Sequence, residues 1–146
     1  MATAEEAKAA IEAGFTTYIA ELEKAGPVWE KKPTTSGEGE DAWCARQVAE
    51  HIGGSGLFFG SGIATAMGIT GPTPSRMSFP DAATALAETR RTHGELMAVV
   101  SQVKDEQLAA ETELRGLGKQ TVGGMLGIVS YHLNDHANQL KTLRGG

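Results

Sequence analysis

The sequence contains one cysteine, Cys44, among its 146 residues, so no internal disulfide can form and stability must come from packing. Positive charge is not in excess: 13 Lys and Arg stand against 18 Asp and Glu, a formal charge of -5. Two tryptophans, two tyrosines and four phenylalanines leave little material for stacking on bases. Both shortages argue against a DNA or RNA partner, and none is expected. The start, MATAEEAKAA, lacks the basic flank and apolar centre of a secretory signal, so the expected location is cytoplasmic. There is no Ser-His-Asp order, phosphate-binding glycine loop or persuasive pair of catalytic carboxylates.

Long hydrophobic runs are missing too. Residues Ile52 to Ser75 carry no charge, but their seven glycines and two prolines make them far less apolar than the roughly 20-residue stretch a membrane span needs. No membrane partner is expected. No run of alternating β-branched residues marks a large sheet, and nearly every apolar pattern has helical period, so the fold class is all-α. At this length, residues 1–146 fit a single domain that buries about two-thirds of its unfolded surface.

Four helices are predicted. The first runs from about Thr3 to Ala25, with Ala7, Ile11, Phe15 and Leu22 on one face, and stops at Gly26-Pro27. A polar linker follows at residues 31–40, KKPTTSGEGE. The second helix starts near Asp41 and carries Cys44, Val48, His51 and Phe58 on a stripe; its end within the glycines of 53–62 is open. Residues 69–79 form a loop that can stretch over at most about 35 Å. That is long enough to carry the chain back along a helix and start the third parallel to the second; antiparallel neighbours would need only a tight turn. The third helix begins around Pro80 and Asp81 and continues to about Asp105. The fourth begins near Thr121 after a Gly-rich linker.

The chemistry concentrates on histidine. Val122, Met125, Val129, Leu133 and Leu140 form the apolar stripe of the last helix, and His132 and His136 fall on or beside it, one turn apart. His51 faces inward from helix two. If helices two and four are antiparallel, His51 lies about 14 Å from its helix start and His132 and His136 about 17 and 11 Å from their helix end, so all three can share a level. Three imidazoles with an open position describe a catalytic zinc or nickel site. An HxxxH pair alone also arises by chance on ordinary helices. His93, on the inner stripe of helix three, reads as a pocket residue or substrate-facing acid or base rather than a fourth ligand, which would close the site. Asp135 should point to solvent, Cys44 should pack as a small apolar filler and Trp43 should anchor the start of helix two.

Two segments resemble the DinB-like (damage-inducible) superfamily of four-helix-bundle metalloproteins. One is Asp41 to Ile52, with Trp43 followed eight residues later by His51; the other runs from Thr121 through His132 and His136 to Gln139 and Arg144. The resemblance implies an up-down-down-up bundle with a long crossover between helices two and three. It implies a zinc or nickel ion held by His51, His132 and His136, and a homodimer. It also implies kinship with S-transferases and isomerases that use bacillithiol, mycothiol or glutathione.

The expected function is a divalent-metal-dependent enzyme that activates a low-molecular-weight thiol or water for attack on a small electrophile, with a small molecule as substrate. The alternative is a non-catalytic metal-binding or stress-associated bundle whose ion stabilises the fold. A plain interaction module with hydrogen-bonded core histidines is the third reading.

Overall fold

A computed structural model describes residues 2–33 and 38–145. Its helices are α1 (Ala4–Glu23), α2 (Ala45–Met67), α3 (Ala82–Val100) and α4 (Val122–Leu143). Three begin on side chains that accept an orphan backbone N–H. The Thr3 hydroxyl takes that of Glu6 at 3.1 Å, Asp81 that of Thr84 at 2.7 Å, and Thr121 that of Gly124 at 2.9 Å. The Glu6 carboxylate in turn accepts the Thr3 N–H, which completes a capping box. Of the expected linker 31–40, residues 34–37 lie outside the described residues.

Helix α2 begins later than Asp41. Residues Gly39–Ala42 form a short 3-10 turn, and the helix starts after Cys44, whose N–H is taken by the Gln47 side chain at 3.0 Å. The helix then continues through its glycines to Met67 and closes on Gly68 in the left-handed region at φ 69°. The helical cost of these glycines is offset by close approach. A Cβ on Gly60 would sit 2.8 Å from the Pro72 ring, and one on Gly62 would sit 2.6 Å from Leu114.

Neighbouring residues define the topology. Along α2, Gly56 meets the Thr92 backbone and Gly60 meets Leu96, so α2 and α3 run parallel. His51 meets His132 and Gly62 meets Met125, which makes α4 antiparallel to α2. Gly14 packs on Ser130 and Leu133 while Glu21 pairs with Arg144, so α1 is parallel to α4. The result is an up-down-down-up four-helix bundle, and residues 68–81 make the crossover that the loop length allows. Ile11, Leu22, Val48, Ile63, Leu96, Met125, Leu126 and Leu140 form the centre of its core.

The Gly-rich linker before α4 is more structured than expected. Strands β1 (Glu111–Leu114) and β2 (Gly118–Thr121) pair antiparallel, with Glu111 opposite Thr121 and Leu114 opposite Gly118. Gly116 and Gly118, both at positive φ, allow the reversal between them. Leu114 is buried over Gly62 and so plugs this end of the bundle. Among the described residues no helix is long and apolar enough to cross a membrane.

Candidate metal centre

The antiparallel pairing of α2 and α4 sets His51, in the second turn of α2, against His132 and His136, one turn apart on α4. The rings meet edge to face. Centroids are 4.8 Å apart for His51 and His132, 5.1 Å for His51 and His136, and 4.8 Å for His132 and His136. One ring nitrogen from each lies within 4.8 Å of the others, a grouping that can hold a metal ion. The Nε2 atoms of His51 and His132 stand 3.2 Å apart. Two imidazole nitrogens bound tetrahedrally to one zinc-sized ion would be separated by about 3.3 Å, so this pair already has the spacing of two ligands.

The protonation of His136 follows from its surroundings. The Gln139 amide nitrogen donates to the backbone carbonyl of Glu40 at 2.6 Å, which turns Oε1 toward His136 Nδ1 at 2.7 Å. An amide oxygen only accepts, so Nδ1 carries the hydrogen. Nε2 of this 1% exposed residue is left buried with no hydrogen-bond partner, 3.4 Å from a carboxylate oxygen of Glu40. A lone pair facing a carboxylate oxygen requires a cation between them. A proton would serve one nitrogen; a metal ion would serve the three imidazoles together.

The local electrostatics keep His51 and His132 in their ligand form. Burial, followed by repulsion from His132 and His136, lowers the pKa of His51 to about 4. Burial and the neighbouring His136 also lower that of His132, against a partial pull upward from Glu40 and Asp135. Neutral imidazole is the form that binds metal.

Two of the three, His51 and His132, border a cleft of about 1030 Å³ that Glu40, Trp43, Phe58 and Arg76 also line, among others. Trp43 forms its wall, with its ring 5.1 Å from that of His51 and 6.3 Å from that of His136. Glu50, also at the cleft, is occupied on both oxygens, accepting Arg46 at 3.0 Å and the Phe79 N–H at 2.8 Å. Cys44 is buried beneath the start of α2 and Asp135 is exposed on α4.

His93 lies elsewhere. It is absent from the cleft lining and borders a small, partly open pocket that His132 also borders. Its ring stacks flat on Phe15 at 3.6 Å, and Nε2 bonds the Glu12 carboxylate at 2.7 Å. Burial lowers its pKa, partly opposed by Glu12. Glu40, which sits in a loop turn that helical periodicity does not register, lines the cleft instead. Gln139 was visible as part of the last helix, but its hold on His136 was not, although the three-residue spacing puts the two on one face.

A family model described as the DinB superfamily matches residues 15–140. Among solved structures the chain is similar to the colibactin self-resistance protein ClbS in complex with a dsDNA, at 14% identity and TM-score 0.72 over 100% of this chain and 98% of that one. It is also similar to TT2238, a four-helix bundle protein, at 23% identity and TM-score 0.70 over 96% and 99% of the two chains. An uncharacterized protein from Clostridium difficile 630 gives 15% identity and TM-score 0.63 over 99% and 97%. No curated protein sequence matches significantly.

The expectation of no nucleic-acid partner is overturned here, because a protein of this fold has been crystallised with dsDNA. Net charge and aromatic count are sums over the whole chain. They say nothing about the local surface a duplex would meet, and backbone-directed binding needs no aromatic stacking.

Proposed function

The chain belongs to the DinB superfamily, and from that premise we propose that it is an enzyme in which His51, His132 and His136 hold one divalent ion, zinc or nickel. Its chemistry would be activation of a low-molecular-weight thiol or a water molecule for transfer to a small electrophile. The observation that carries this reading is the bare, buried Nε2 of His136, aimed at Glu40 beside two further imidazoles. A divalent ion bound there supplies Lewis acidity that brings the pKa of a thiol or water toward neutrality.

The protein's own groups do the rest. Gln139 keeps the His136 hydrogen on Nδ1. Glu40, about half exposed, is placed to take the proton released by the incoming nucleophile. Trp43 and Phe58 give the cleft an apolar wall against which an electrophile can be seated beside the triad. His93 borders the pocket behind the triad and not the cleft.

The alternative, an ion that only stabilises the bundle, would have no use for a coordination position that opens to a cleft. Cobalt substitution separates the two. Adding a small thiol to the cobalt-loaded protein should produce a sulfur-to-cobalt charge-transfer band and shift the visible spectrum. A spectrum unmoved by a panel of thiols and small chelators would leave the stabilising role and contradict the enzyme.

A further inference from the structure

The cleft beside the triad carries few charged groups. Its carboxylates are Glu40, which faces His136 at 3.4 Å, and Glu50, which Arg46 neutralises at 3.0 Å. Among the described residues the Lys or Arg that lines it is Arg76, in the crossover between α2 and α3. Arg76 is exposed, and no carboxylate of the described residues pairs with it. Its planar fork of N–H groups matches a carboxylate, and here that fork is left for an incoming molecule.

The backbone on either side of Arg76 is held against α2 just past His51. Gly53 and Gly54 allow this approach: a Cβ on Gly53 would lie 3.0 Å from the Phe79 ring, and one on Gly54 would lie 3.4 Å from the Ser75 carbonyl oxygen. Phe79 is buried, and its N–H is taken by Glu50 at 2.8 Å. The crossover therefore lies flat on the helical turn that follows a metal-binding histidine. That contact brings Arg76 to the same cleft as His51 and His132.

We propose that the cleft takes a substrate bearing a carboxylate, and that Arg76 is the specificity residue that receives this group while the reacting end of the molecule lies at the triad. The inference rests on the metal-enzyme reading above and adds a class of substrate to it. Glu40 beside His136 repels a carboxylate and Arg76 attracts one, so the two together give an acidic substrate one orientation. Fixing that orientation is a direct contribution to rate, since it holds the reacting atoms near the metal.

The test uses thiols as rulers tethered to the metal. Cobalt-loaded protein is titrated with mercaptoacetate, mercaptopropionate and mercaptohexanoate, each beside the mercaptoalcohol of the same chain length, and affinity is read from the sulfur-to-cobalt band. At the length that spans from the metal to Arg76, the acid should bind about fivefold to tenfold more tightly than its alcohol. Arg76→Gln should remove that advantage and Arg76→Lys should keep part of it, with cobalt content unchanged in both. Chelation of cobalt by the shortest acid would persist in Arg76→Gln, which separates it from recognition by the arginine. Acids and alcohols bound equally at every length, or an advantage at every length that survives in Arg76→Gln, would overturn the inference and leave the metal and thiol reading standing. A cobalt spectrum that no thiol moves would instead overturn the enzyme reading and this inference with it.

Discussion

Gln139 sets the hydrogen of His136: its Oε1 lies 2.7 Å from Nδ1, so the buried ring turns a bare Nε2 toward Glu40. Hydrogen-bond partners that orient metal-binding histidines commonly contribute a factor of about 10 to 100 in metal affinity. Gln139→Leu should weaken zinc binding by that order, with helix content preserved. Gln139→Glu keeps an acceptor for Nδ1 but sets a carboxylate oxygen against the Glu40 carbonyl that now receives the amide hydrogen, so it should recover only part of that loss. Equal affinity in Gln139→Leu would mean that the contact orients nothing that ligates.

Acid should destabilise the metal-free protein earlier than its carboxylates alone would. His51 is lowered from 6.5 to about 4 and His132 is lowered as well, so the unfolded chain binds more protons than the folded one between those values. Stability therefore rises with pH across that window and is lost as pH falls below about 6.5. The depressed carboxyls of Glu21 and Asp81 act in the same direction, but only below their ordinary values near 4.5 and 3.8. Urea midpoints of metal-free protein should drop between pH 7 and pH 5, and less so in a His51→Ala variant. A flat profile over that range would contradict neutral burial of His51 and His132.

Gly60 of α2 and Gly127 of α4 should respond oppositely to alanine. At Gly60 a new Cβ would meet the rigid Pro72 ring at 2.8 Å, so Gly60→Ala should cost about 1–3 kcal/mol through overpacking. Gly127 is exposed within α4 and a Cβ there meets nothing within 4 Å, so Gly127→Ala should gain about 0.5–1 kcal/mol from helix propensity. Chemical denaturation of both reads the difference directly. Stabilisation by Gly60→Ala would mean that the crossover does not press on α2 at Pro72.

What the sequence discloses depends on whether the signal is periodic. Thr3, Asp81 and Thr121 mark helix starts because caps have fixed chemistry, and the stripe through Val122, Met125 and Leu133 carries His132 and His136 inward with it. The crossover is legible from loop length. The hairpin at 111–121 is not, since its two strands have four residues each and Glu-Thr-Glu-Leu shows too short an alternation to detect. Glu40 belongs to a loop brought to His136 by tertiary packing, and the pocket behind His132 is a property of all four helices together. The glycine run leaves the end of α2 open in the sequence, because helix propensity does not register the close contacts at Gly60 and Gly62.

The central claim is that three histidines hold one ion. Metal content of the purified, tag-free protein and of its His132→Ala variant, measured by elemental analysis after dialysis without strong chelator, tests it most directly. The account predicts close to one zinc or nickel per chain in the unaltered protein and little in the variant. Absence of metal from both, persisting after reconstitution with either ion, would contradict it.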